Sequence, residues 1–150
     1  MKLPPDLERK CLDMAGRKPA PANTFCLPEL PFPPSVNTYW RRVGNKTLLS
    51  EAARTYRKRV LARLRYVRFV PFDGPVKVII TFRPPDRRVR DLDNLPKGLL
   101  DALKYAGVYA DDSQVRHLDM CLAATVQKGG ASLVTVTSMA AGVVTEGALP

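Results

Sequence analysis

Arg90-Asp91-Leu92-Asp93-Asn94-Leu95-Pro96-Lys97 stands where a strand pattern gives way to a helix pattern, and its reading decides the fold. Upstream, Val76 to Phe82 includes the consecutive Val78, Ile79 and Ile80, which predicts a central strand covered on both faces. Downstream, Leu95, Leu99, Ala102, Leu103 and Ala106 recur at helical spacing and predict a helix over 95–106, with Lys97, Asp101 and Lys104 on its other side. Pro96 suits the first turn, Asp93 or Asn94 can cap it, and Gly107 can stop it. Asp111-Asp112 follows directly. Beyond it, Val115 to Val126 reads as a long strand, Lys128-Gly129-Gly130 as a hairpin turn and Ala131 to Thr137 as the returning strand.

Towards the N-terminus, Ser50 is a cap for a helix running to about Val67, whose buried stripe is Ala53, Tyr56, Val60, Leu64 and Val67. Gly44-Asn45, between Tyr39–Arg42 and Lys46–Leu49, predicts a small hairpin. Thr24 to Leu30 reads as a first strand that ends at an exposed turn, Pro31-Phe32-Pro33-Pro34. Residues 1–23, with Pro4, Pro5, Pro19 and Pro21, read as a mobile arm, and residues 139–150 as a loosely held tail. The expectation is an α/β chain of the α+β type: one domain over 24–138, with a mixed sheet and two principal helices.

A chain of 150 residues suits a single domain with a substantial core. Its charge is less ordinary, since 24 Lys and Arg against 14 Asp and Glu leave +10. Such an excess favours a polyanionic partner. Between Arg41 and Arg68 stand ten basic residues and one acid, Glu51. Arg54, Arg57, Lys58, Arg65 and Arg68 gather on one side of the predicted helix. A charged helix face is commonly no more than solvated surface, but the lack of interleaved acids favours phosphate contact. Arg87, Arg88 and Arg90 form a second basic cluster, in the loop ahead of the acidic motif. No apolar run approaches a membrane span, and the N-terminus lacks a signal-peptide core. Cys11, Cys26 and Cys121 form neither a disulfide framework nor a zinc motif, which places the chain in a reducing cytoplasm.

Asp or Asn ahead of a helix is commonly a cap, and Asp111-Asp112-Ser113 alone reads as a turn. Together the two acidic segments suggest more. A helix of about three turns can return the chain to a neighbouring strand end and bring the carboxylates together. Carboxylate oxygens suit a hard cation such as Mg2+, which activates water and neutralises charge at a phosphodiester. Lys97 would supply a positive charge at the phosphate, and Asn94 could orient a ligand. The spacing after Asp91 is not that of an EF-hand. His117, the only histidine, reads as structural or surface.

Arg87-Arg88-Val89-Arg90-Asp91-Leu92-Asp93-Asn94-Leu95, with Lys97, Asp101-Ala102-Leu103, Gly107 and Asp111-Asp112-Ser113-Gln114-Val115, resembles the RusA family of crossover-junction endodeoxyribonucleases, the Holliday junction resolvases of bacteria and their phages. Leu30-Pro31-Phe32-Pro33-Pro34-Ser35-Val36-Asn37 and Lys128-Gly129-Gly130 extend the resemblance across about 24–138. It implies a homodimer, dependent on Mg2+ with Mn2+ as a possible substitute, that places paired nicks across a four-way junction in recombination and repair. It also implies that Asp91, Asp93 and Asp112 are the essential carboxylates, Lys97 the essential basic residue and Asp111 a helper at the metal. Two other readings fit the residues: a non-catalytic DNA- or RNA-binding module, and a metal-dependent nuclease without junction preference.

Overall fold

The computed structural model describes residues 23–139. The arm and tail expected at the two ends lie outside the described residues, except for Asn23 and Met139, which are tied to the sheet. Asn23 O accepts from Ser138 N at 2.9 Å, and Met139 N donates to Pro75 O at 2.8 Å.

The strands are β1 (Thr24–Cys26), β2 (Trp40–Val43), β3 (Lys46–Leu49), β4 (Val76–Arg83), β5 (Val115–Leu122) and β6 (Ala131–Ser138). The helices are α1 (Val36–Tyr39), α2 (Glu51–Leu64) and α3 (Pro96–Tyr105). A four-stranded sheet runs in the order β1-β6-β4-β5, and β2 and β3 pair as a separate hairpin. β4 is parallel to β5 and antiparallel to β6. Parallel neighbours need a crossover, and α3 supplies it. The mixed sheet and the two longer helices agree with the sequence reading; α1 is an addition to it.

One hydrophobic cluster joins Val76, Val78, Ile80 and Phe82 of β4 and Val134 and Val136 of β6 to Tyr56, Val60 and Leu64 of α2 and Leu99, Ala102 and Leu103 of α3. Both helices therefore cover the same face of the sheet. Each fully buried leucine contributes about 1.5–3 kcal/mol, and Leu99 and Leu103 together fasten α3 to the sheet.

Several local expectations are corrected. β4 is central, but its residues alternate between buried and half-buried, so among the described residues the second face is only partly covered. Ile79 belongs to that second face; the apolar run reflects β-branched propensity more than two-sided burial. β5 stops at Leu122 and is largely exposed, as befits an edge strand. It does not form a hairpin with β6. Ala123 N donates to Phe82 O at 2.7 Å and Gln127 N to Pro84 O at 2.9 Å, so the chain crosses the end of β4 and β6 pairs on its far edge. Gly129 and Gly130, at φ +81° and +68°, reverse the chain there. A Cβ at Gly130 would lie 2.6 Å from Phe32 Cβ. The first strand is only three residues long, with Leu30 bridging to Ser132 beyond a break. Pro31 and Pro33 of the expected exposed turn are buried.

The helix boundaries also move. α2 is capped as expected, with Ser50 Oγ accepting from Ala53 N at 3.1 Å, but it ends at Leu64 and leaves Val67 half-buried. α3 begins at Pro96 after a 3-10 turn at Leu92–Asn94, its cap is Leu95, and neither Asp93 nor Asn94 serves it with a side chain. Asp101, expected on the polar side, is buried at 9% exposure.

Candidate active site

The loop after β4 is organised by Asp86. Its carboxylate accepts from Arg88 N at 2.9 Å and pairs with the Arg90 guanidinium at 2.7 Å. The Arg88 amide, and then Arg90, hold the Asp86 carboxyl below its ordinary range. Arg90 also donates to Asp86 O and Arg88 O and lies over the Phe32 ring. Of the three arginines expected to meet DNA here, Arg87 and Arg88 are exposed, whereas Arg90 holds the loop together.

Asp91 leads the 3-10 turn. Asn94 N donates to Asp91 O at 3.2 Å, and Asn94 Nδ2 lies 3.5 Å from Asp91 Oδ2. Asn94, expected to orient a ligand, thus has its amide beside Asp91. Asp91 and Asp93 are exposed, and neither forms an ion pair among the described residues. Beside Asp91 opens a cleft of about 360 Å3 lined by Phe32, Ser35, Asn37, Arg90, Asp91 and Asn94. The segment Leu30–Asn37 therefore forms one wall beside the acidic loop.

The second acidic segment is pinned by Gln114. Its Oε1 accepts from Ala110 N and Asp111 N at 2.8 and 3.0 Å, and its Nε2 donates to Phe72 O and Gly74 O at 3.0 and 2.9 Å. Asp111 and Gln114 form a capping box around the 3-10 turn Asp112–Gln114. Asp111 is extended (φ −147°, ψ 145°), which turns neighbouring side chains in different directions. Asp111 meets Lys104 Nζ at 2.6 Å, while Asp112 meets Lys97 Nζ at 2.9 Å. Those lysines are seven residues apart on α3, about 10 Å along its axis. Lys104 and Ser113 hold the Asp111 carboxyl well below the usual range, and Asp111 in turn raises the Lys104 ammonium.

Lys97 ties the second acidic segment to the start of α3. It lies in the first turn of α3, a few residues after Asp93, and its Nζ donates to Asp112 Oδ2 at 2.9 Å and to Asp101 Oδ1 at 3.0 Å. The bond to Asp112, opposed by partial burial, raises the Lys97 pKa above the ordinary lysine value. Pro96 occupies the first helical position and does not displace Lys97 from the acids.

Asp91, Asp93, Asp111 and Asp112 are oxygen donors whose chemistry fits a hard divalent cation. Among the described residues, however, no three His, Cys, Asp or Glu side chains are grouped closely enough to cage a metal ion. Mg2+ is commonly held by one or two carboxylates together with water and substrate phosphate rather than by a protein cage.

On α2, Arg54, Lys58 and Arg65 are exposed. Arg57, grouped with them in the sequence, turns inward: Nε donates to Tyr39 Oη at 3.0 Å, and the guanidinium lies 3.9 Å from Asp101. His117 is exposed on β5. Sequence reasoning gave no role to Tyr39, Arg57 or Asp101 around Lys97. The four-residue spacing of Lys97 and Asp101 was the one visible signal.

The model of the family described as endodeoxyribonuclease RusA matches residues 31–133. A crossover junction endodeoxyribonuclease RusA of Shigella sonnei (strain Ss046) is 39% identical over 118 residues, covering 78% of this chain and 97% of its own. The protein of the same name from Escherichia coli (strain K12) shows the same identity and coverage. The crossover junction endodeoxyribonuclease of Enterobacteria phage HK97 is 44% identical over 86 residues, which are 57% of this chain and 72% of its own.

Proposed function

This chain belongs to the RusA endodeoxyribonuclease family, and from that premise we propose that it is a divalent-metal-dependent nuclease that resolves four-way DNA junctions as a homodimer. The observation that carries the reading is the 2.9 Å contact of Lys97 with Asp112, which ties the second acidic segment to the start of α3, the helix that follows the first in the chain. Asp91, Asp93 and Asp112 would hold Mg2+, or Mn2+ in its place, with Asp111 as a helper. A bound ion of this kind activates water and neutralises charge at the scissile phosphate. Asn94 orients Asp91. Lys97 places its ammonium against the same phosphate.

The remaining cations serve the DNA arms. Arg54, Lys58 and Arg65 on α2 and Arg87 and Arg88 in the loop present exposed charge to phosphates, while Arg57 and Arg90 support the surfaces from within. A second copy follows from the substrate: a four-way junction is nearly two-fold symmetric, and resolution needs one nick in each of two strands. A C2 dimer places one site at each. Among the described residues no helix is long and apolar enough to cross a membrane, in keeping with work in the cytoplasm of a bacterial or phage-infected cell.

The test is to incubate the protein with an immobile four-way junction and matched duplex, with and without Mg2+, beside Asp93→Asn. The expected outcome is paired cleavage of the junction only with metal, and Asp93→Asn that binds but does not cut. Equal cutting of duplex would favour a nuclease without junction preference. Binding with no cutting under any metal would favour a non-catalytic module.

A further inference from the structure

Asp101 is a carboxylate that neither the core nor the helix requires. It is 9% exposed, in the middle of α3, between the buried Leu99 and Leu103. Burying a carboxylate is unfavourable unless it is paired, and an exposed lysine four residues earlier would not need its partner buried. Its two oxygens go separate ways. Oδ1 accepts from Lys97 Nζ at 3.0 Å, and Oδ2 faces the Arg57 guanidinium at 3.9 Å.

Arg57 is held in turn. Its Nε donates to Tyr39 Oη at 3.0 Å, and its guanidinium carbon lies 5.8 Å from the centre of the Tyr39 ring and 5.6 Å from that of Tyr105. Tyr39 is fully buried against α3 at Gly98, where a Cβ would come within 3.2 Å of its ring. A continuous line of contacts therefore runs from α1 through α2 to the lysine beside the acidic turn.

We infer that Asp101, backed by Arg57 and Tyr39, is a positioning residue that keeps Lys97 at the site when Asp112 turns to the metal. The inference rests on the proposed roles of Asp112 and Lys97. With Asp112 as its sole partner, the ammonium would lose its anchor on metal binding and be repelled by a like charge close by. A second, buried anion on the same helix keeps it in place. Because that anion also faces the Arg57 guanidinium, a swing towards the cation would draw it away from a second positive charge.

The test is a double-mutant cycle of Asp101→Asn and Lys97→Gln in single-turnover junction cleavage. Two further readings accompany it: junction affinity without divalent metal, and the Lys97 ammonium NMR signal of 15N-labelled protein with and without Mg2+. Asp101→Asn should slow cleavage about tenfold to a hundredfold, leave affinity within about twofold, and cost nothing further in Lys97→Gln. It should also lose the ordered ammonium signal when Mg2+ is added, whereas the unaltered protein keeps it. Full-rate cleavage by Asp101→Asn overturns the inference, as does an ammonium signal that persists with Mg2+ in that variant. So does a loss that adds undiminished to Lys97→Gln. Normal cleavage by Lys97→Gln sinks the underlying reading as well; an inactive Lys97→Gln beside a fully active Asp101→Asn sinks the inference alone. If Asp101→Asn loses its cooperative thermal transition, Arg57→Gln takes its place. It should show a smaller fall that vanishes in Lys97→Gln, and an additive fall overturns the proposal.

Discussion

The two acidic turns are built from similar residues and held in opposite ways. At the 3-10 turn Leu92–Asn94, Asp91 and Asp93 stand exposed without an ion pair among the described residues, and Asp91 lines an open cleft. In the 3-10 turn at Asp112–Gln114, both aspartates at its head are paired to lysines of α3, and Gln114 anchors the backbone at four points. The first turn keeps its charges available, and its neighbours Asp86 and Arg90 fix the loop rather than the acids. The second locates its charges through α3. An oxygen site assembled from the two would combine free ligands with one whose position is already set by Lys97.

The sharpest way to break this comparison is to remove one carboxylate from each turn. Asp91→Asn and Asp112→Asn should each lower junction cleavage by more than about a hundredfold, since each deletes a proposed ligand rather than a group that orients one. Binding to the junction without metal should persist in both. A near-normal rate for either, measured under single-turnover conditions, would remove that residue from the site.

Gln114→Ala tests whether the second turn is held as the geometry indicates. Two N–H and two C=O groups lose their partner, and denaturant unfolding should show a loss of about 2–3 kcal/mol. Cleavage should fall with it, because Asp112 is no longer placed. An unchanged unfolding midpoint would show that the turn stands without its glutamine.

Asp111→Asn should do much less. Its pair with Lys104 is solvent-exposed, and such pairs add little. Cleavage within about tenfold of the unaltered rate is expected for a helper carboxylate. A loss equal to that of Asp112→Asn would make Asp111 a ligand in its own right.

The smallest effect concerns pH and the first turn. The Asp86 carboxyl is held below its ordinary value of 3.8 by the Arg88 amide and by Arg90. Its contribution to the loop is therefore complete above that ordinary value and is lost as the pH falls through the lower, folded one. The Arg88 amide signal, followed by NMR, should titrate with a midpoint below 3.8. A midpoint at or above the ordinary value would mean that the loop is not organised by Asp86.

Much of this was legible along the chain wherever the deciding interactions are local. The Ser50 cap, the stripe of α2, the glycine stop of α3 and the β2–β3 turn follow from residues a few positions apart. The acidic residues and Lys97 were visible as types and spacings. The hairpin expected between β5 and β6 was not correct, because a glycine turn specifies a reversal but not which strand edge receives the chain. That edge is set by β4, which has partners on both sides.

The linear order of residues determined the α/β class, the strand–acidic loop–helix unit, the basic surplus and the set of carboxylates, because each depends on side-chain type and short-range period. The tertiary structure decided the partners. It turned Arg57 inward and buried Asp101, and it sent Asp111 and Asp112 to lysines two turns apart on α3. Those pairings join residues from 7 to 44 positions apart. Side-chain periodicity orders residues within one element and not between elements; the packing of α2 and α3 against one face of the sheet brings Arg57 to Asp101, and the path of the chain after α3 brings Asp111 and Asp112 to its lysines.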